Sequence, residues 1–304
     1  MKILVVGGTG MIGGHAALYL NSQGHDVTIS GRNKPRPPSA LADLPFLQGD
    51  FVARTFTTEQ LSKFDGIVFA AGNDIRHVPE GRNFDEHVLR VNGEAVPQFA
   101  AFGKQAGVRH FIHIGSFYQH VAPHLIETSP YVRSRKMATD GVTALADKSF
   151  HALSLDAPFV VGTIPGMTPS LFEAYTKYAQ GKLGIPPFGP PGGTNFISTQ
   201  SISEAVAGAI KRGETGKAYL IGDENLTFVD YFKLFFRAVG NEADIPALDK
   251  QHPLLPDSAI FTGRGSTVSY EPDPEETSLL GYRRNDVTRA VKEVVTQILA
   301  TQSV

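Results

Sequence analysis

The chain has 304 residues, enough for two domains or for one large α/β unit carrying an added lobe. Its 28 Lys and Arg against 30 Asp and Glu leave a formal charge of −2 with no basic stripe for nucleic acid, while 41% hydrophobic and 19% charged residues fit a globular protein rather than a disordered one. Cysteine is absent, which removes disulfides and thiolate chemistry, and the apolar start Ile3–Val6 is too short for a signal peptide; with no stretch long enough to span a membrane, a cytoplasmic protein is expected.

Apolar runs of strand length recur at Ile3–Val6, Val27–Ser30, Ile67–Ala71, His110–Ile114 and Ala152–Leu155. Helical patterns lie between them. One runs from about Ile12 to Gln23 and closes on Gly24, Thr57-Thr58 caps a short one through Phe64, and an interrupted one runs from Asn83 to Gln105 before Gly107. Ser129-Pro130 has N-cap and N1 chemistry for a helix reaching about Asp147. Alternation of this kind predicts an α/β architecture, a doubly wound parallel sheet with helices on both faces. After Asp156 the chain turns proline- and glycine-rich, so residues 1–156 are read as a dinucleotide-binding domain and 157–304 as a smaller C-terminal substrate lobe that returns some elements to the first. In that lobe the pattern predicts strands at Asn195–Ser198 and Ala218–Ile221 and helices at Ser201–Arg212, Thr227–Val239 and Asn285–Ala300.

The strongest local signal is Gly7-Gly8-Thr9-Gly10-Met11-Ile12-Gly13, directly after the first strand and opening the first helix. Glycines are needed where the chain turns sharply, where backbone approaches a pyrophosphate, and where helix packs on strand. Gly7, Thr9, Gly10, Met11, Ile12 and Gly13 are therefore candidate cofactor residues; no Gly-Lys-Ser/Thr follows, which excludes a nucleoside-triphosphate loop. The second strand ends in Ser30-Gly31-Arg32-Asn33-Lys34, without the carboxylate that would hold the ribose of NAD. Arg32 offers a fork matched to a 2′-phosphate, with Asn33, Lys34 and Arg36 beside it, so NADP(H) is expected and NAD is less suited; a solvated loop arginine is the plain alternative. Asp50 and Phe51, then Ala70, Ala71 and Gly72, fall where adenine and ribose would rest, and Pro158 and Phe159 complete the expected cofactor set.

With the glycine motif, Asp50, Ala70-Ala71-Gly72, Asn92-Gly93, Ser116, Tyr131–Arg135 and Gly192–Ile197 together, the sequence resembles the extended short-chain dehydrogenase/reductase family, which contains the NAD-dependent epimerases and dehydratases. The segment Gly213–Thr227 looks most like its dihydroflavonol-reductase and hydroxysteroid-dehydrogenase branch. The resemblance implies a Rossmann-type fold, hydride transfer between a nicotinamide and a carbonyl or alcohol, and a helix-mediated homodimer. Ser116 would hold the carbonyl oxygen, and Tyr131 would be the acid/base. The family places a lysine four residues after the tyrosine, where with Tyr131 it also holds the nicotinamide ribose. Here Arg135 stands there and can supply charge and ribose hydrogen bonds, so Tyr131 and Arg135 join the cofactor set, but Arg135 can relay no proton. Lys136 lies about 140° further round the helix than Tyr131 and is not expected to reach.

Phe84, Phe117, Tyr118, Phe159, Tyr175, Tyr178 and Phe188 are candidates for an apolar substrate pocket, though a core role is the commoner one for such residues. His110-x-x-His113 faces two sides of a strand and His120-x-x-x-His124 has no carboxylate at ligand spacing, so no metal site is expected; Asp85-Glu86-His87 reads as an exposed helical turn. The primary expectation is an NADP(H)-dependent reductase of a ketone or aldehyde. A sugar-nucleotide epimerase or dehydratase that recycles its cofactor is the alternative, and a dinucleotide-binding sensor without chemistry is a third reading that Arg135 permits.

Overall fold

The computed structural model describes residues 1–74 and 77–302. The elements run β1 (Lys2–Val6), α1 (Met11–Ser22), β2 (Asp26–Gly31), β3 (Phe46–Gln48), α2 (Thr58–Leu61), β4 (Gly66–Phe69), α3 (Phe84–Val88), a π-helical segment (Leu89–Ala95), α4 (Val96–Gln105), β5 (His110–Ser116), α5 (Tyr118–Val121), α6 (Leu125–Thr128), α7 (Pro130–Thr143), β6 (His151–Ala157), β7 (Phe159–Val161), α8 (Ser170–Ala179), β8 (Gly193–Ser198), α9 (Thr199–Arg212), β9 (Ala218–Leu220), β10 (Glu224–Thr227), α10 (Phe228–Ala238), α11 (Pro274–Leu280) and α12 (Val287–Gln302). Seven strands form a parallel sheet in the order β3-β2-β1-β4-β5-β6-β9, the doubly wound α/β architecture expected. Strand order reverses between β1 and β4, and crevices at such switch points, beyond the carboxyl ends of the strands, are where open α/β sheets bind ligands.

Each face of the sheet carries its own core. Ala17 and Leu20 of α1 and Ile202, Ala205 and Val206 of α9 cover one side; Phe99 and Ala100 of α4 and Ala138 and Val142 of α7 cover the other. A third core packs α8, α10 and α12 against a small sheet, β10-β8-β7, and Met11 of α1 leans against it. The sequence signs of helix ends hold where the cap chemistry is local. Thr57 closes a capping box on α2, Ser129 accepts from the Val132 N–H at the start of α7, and Gly24 and Gly107 follow α1 and α4 at φ 84° and 90°.

Three expectations are corrected. Helix α7 stops at Thr143 rather than near Asp147, because the Asp147 carboxylate closes a turn by accepting from the Ser149 and Phe150 N–H groups. Helix α8 and strands β7 and β10 are not among the predicted elements: β7 and α8 lie among Pro158, Pro165 and Pro169, and β10 directly precedes the helical pattern of α10. Of the candidate pocket aromatics, Tyr175 and Tyr178 instead fill the second-lobe core with Phe232 and Phe235, and Phe188 packs on His252 beside them.

Candidate functional site

The glycine turn is shaped by its neighbours. Gly7 has φ 79°, and a Cβ there would come within 2.8 Å of the Ala70 backbone; a Cβ on Gly13 would meet the Gly7 carbonyl oxygen at 2.5 Å. Ala70 is small because β4 ends against this turn. Gly10 differs: the nearest atom to a Cβ there is 3.4 Å away, so packing alone does not require glycine. Gly10 is the N-cap of α1, which has no side-chain cap and no acidic residue in its first turn. A backbone open for close approach at an uncapped helix N-terminus fits the pyrophosphate of a dinucleotide. Thr9 lies over Gly31 and so ties this turn to the end of β2. Beyond it Arg32, Asn33 and Lys34 are exposed, and the Arg32 side chain has no partner among the described residues. Asp50 Oδ1 accepts from the Val52 and Ala53 N–H groups at 2.8 and 3.0 Å, while Phe51 packs edge-on against Phe69.

Around β4 the chain is clamped from the π-helical segment. Pro97, one residue into α4, cannot donate to the helical ladder, and the turns before it widen into the π form. Asn92 there accepts from the Asn73 N–H and donates to its carbonyl, both at 2.9 Å, and reaches Ser134 on α7 at 3.5 Å. His87, expected in an exposed turn, is buried with Nε2 3.3 Å from Asn73 Oδ1; burial first, then Arg90, lowers its pKa.

Helix α7 brings the expected catalytic residues to the carboxyl ends of β4 and β5. Tyr131 is half-buried, its ring stacked on Phe261 at 4.3 Å and 4°. Tyr118 meets Phe261 edge-on, and burial together with the Tyr131 phenol pushes its hydroxyl pKa up. Phe117, Phe159, Val268 and Tyr270 complete an aromatic and apolar cluster around them. Ser116, 5% exposed at the end of β5, makes no side-chain hydrogen bond among the described residues. Arg135 is buried, donates from Nη2 to the Ile114 carbonyl at 2.9 Å, and fills the space a side chain on Gly72 would need. Its Nε is buried without a partner among the described residues. Lys136 points elsewhere, paired with Asp140 at 2.6 Å. Pro158, buried, joins β6 to β7, and Phe159 contacts Phe117 and Phe196 edge-on.

Sequence reading missed a polar group beneath this cluster. Asp156, fully buried at the end of β6, accepts from Ser154 Oγ at 2.6 Å and Thr139 Oγ1 at 3.1 Å, and Gln119 and His120 reach its other oxygen. His113 Nδ1 joins through Ser154 at 3.0 Å; burial, reinforced by Arg135 and opposed by Asp156, drives its pKa down to about 3. An acid directly after the apolar run Ala152–Leu155 was the available signal for Asp156; Phe261, in an irregular stretch of the second lobe, had none.

Fold and site together define a dinucleotide-binding protein with a tyrosine and a serine at the switch-point end of its sheet. The chain belongs to the NAD dependent epimerase/dehydratase family, whose model matches residues 3–222. Its fold is that of gox2253 (19% identity, TM-score 0.78, covering 99% of this chain and 98% of that one). It is also that of UDP-glucose-4-epimerase from Stenotrophomonas maltophila, solved with bound NAD and formylated UDP-arabinopyranose (19%, 0.74, 100% and 99%). UDP-glucuronic acid 4-epimerase from Bacillus cereus, in complex with NAD, shares it too (18%, 0.71, 99% and 99%). Comparison with curated proteins finds no match. No described helix is long and apolar enough to cross a membrane.

Proposed function

We propose that the protein is a nicotinamide dinucleotide-dependent oxidoreductase that interconverts a carbonyl and an alcohol on a small, largely apolar substrate, with NADP(H) preferred. The observation that carries this reading is the ring of Phe117, Tyr118, Phe159, Phe261 and Tyr270 around Tyr131. A nucleotide-sugar diphosphate calls for free cations at this place. Arg264, three residues from Phe261, is held by Asp249 and Asp257, and Arg284 by Asp223 and Glu271. Arg32, exposed and unpartnered, favours a 2′-phosphate.

A bound reduced nicotinamide would supply the hydride. For the rest, Gly7, Gly10 and the first turn of α1 would hold the pyrophosphate, and Asn92 fixes the backbone after β4. The free Ser116 hydroxyl would donate to the carbonyl oxygen, and the Tyr131 hydroxyl would give that oxygen its proton. Arg135, buried and anchored on Ile114, contributes a fixed positive charge below them and holds its own protons.

A second reading, a sugar-nucleotide epimerase or dehydratase, is favoured by the family description and by the two epimerases that share the fold. The two readings part on consumption of cofactor. Purified protein offered NADPH and a panel of aryl and alkyl ketones and aldehydes should oxidise NADPH, and Tyr131→Phe should lower kcat by about 100-fold or more with NADPH affinity unchanged. Conversion of a UDP-sugar without net NADPH oxidation would replace this reading with the second.

A further inference from the structure

Tyr131 loses one proton in each reductive turnover, and Arg135, always ionised, cannot return it. The group best built to do so is the one around Asp156. Its carboxylate is fully buried, and His120 is the only cationic or potentially cationic side chain within ion-pair distance of it among the described residues. Hydroxyls of Ser154 and Thr139 donate to one oxygen, and the Gln119 amide to the other. Side-chain donors converge on both oxygens, and the 2.6 Å contact from His120 Nε2 is read as one more, an N–H donated to Oδ2. That fixes the ring: Nε2 faces inward, and Nδ1, with no partner among the described residues, is left for proton exchange. The side chain is 30% exposed, which opens it to solvent.

Placement supports the same role. His120 lies on α5, four residues after Ser116, and the start of that helix is pinned to β6 by the Phe117 N–H on the Ala157 carbonyl at 3.2 Å. Helix α5 packs on α6 and α7, the helix that carries Tyr131. The titratable and charged groups on the surrounding elements are His151 and Asp156 on β6, His110 and His113 on β5, Tyr118 on α5 itself, Tyr131, Arg133, Arg135, Lys136 and Asp140 on α7, His124 and Glu127 at α6, and Tyr270. Of these, only Asp156 bonds the His120 ring.

We propose that His120, oriented by Asp156, is the proton-transfer residue of this site. The inference rests on the reductase reading above. Tyr131 Oη gives its proton to the carbonyl oxygen as the hydride reaches the carbonyl carbon. The His120 ring, neutral at rest with Nε2–H on Asp156, takes up a solvent proton on Nδ1, passes it through intervening water to the phenolate and returns to its resting form; this step moves a proton and no electrons. Oxidation of the alcohol runs the same chain backwards.

Two measurements test this. Nitrogen-15 histidine spectra of the full chain, with His120→Gln for assignment, should show His120 in the Nε2–H tautomer at neutral pH. His120→Gln, a change at a partly exposed ring, should lower kcat by about 10- to 100-fold with KM and dinucleotide Kd unchanged. It should also remove an inflection from the pH profile of kcat, and added imidazole should restore turnover. Wild-type kcat and profile in His120→Gln beside an inactive Tyr131→Phe would overturn the inference alone. Wild-type protein that oxidises no NADPH would overturn the reductase reading; an Nδ1–H tautomer would then overturn the dyad independently.

Discussion

His113 gives the fold a calculable sensitivity to acid. It lies on β5, 2% exposed, its Nδ1 on Ser154, with its pKa lowered from 6.5 to about 3, first by burial and next by Arg135. In the unfolded chain the ring titrates near 6.5. Between those two values the unfolded state holds a proton that the folded state does not, so stability is full above about pH 6.5 and declines as pH falls through the window. Going from about pH 7.5 to about pH 5, this one ring costs about 2 kcal/mol, against the usual total of about 5–15 kcal/mol. Urea unfolding followed by circular dichroism, at both pH values, on the wild type and His113→Gln, measures it. The substitution removes the titration whatever it does to stability at neutral pH, so the two pH-dependent losses should differ by about 2 kcal/mol. His252, enclosed by aromatic rings and lowered to about 4, stays in both proteins and cancels. Equal losses would refute the reasoning.

Two glycines of the same turn should behave oppositely. Gly10→Ala, where the new methyl meets nothing closer than 3.4 Å, should leave the melting temperature within about 2 °C and weaken dinucleotide binding at least ~10-fold, whereas Gly13→Ala, 2.5 Å from the Gly7 oxygen, should destabilise by about 1–3 kcal/mol. Calorimetric titration and thermal melts separate the two. Arg32→Ala should weaken NADPH binding by about 1.5–3 kcal/mol, the worth of one charged hydrogen-bonding partner, and leave NADH within a factor of about 2; equal losses for both would remove the assignment of Arg32 to a phosphate.

Much of the frame was readable because its causes are local. The strand–glycine–helix turn, the Thr57 and Ser129 caps and the positive-φ glycines each depend on a few neighbouring residues. What escaped depends on distant ones. His120 showed no carboxylate nearby in sequence because its partner is 36 residues away and is brought over by parallel pairing of β5 with β6, which sets Gly115 beside Asp156. His87 read as solvated because nothing local tells that Asn73 will fold back over it. The aromatic residues could be counted, but not divided between the cluster at Tyr131 and the second-lobe core, since that division follows from where α8 and α10 dock.

The outermost strand of the main sheet, β9, comes from residues 218–220 and pairs with β6, and α9 from the same half of the chain covers α1. Joining residues 1–156 to a foreign partner would strip β6 of its neighbour and leave an open, sticky edge. This protein is therefore not a cassette onto which substrate lobes can be swapped. On the proposed reading, a change of substrate is to be made from within, at Phe159 and in the stretch beyond β10 that carries Phe261 and Tyr270, while the two returning elements stay in place.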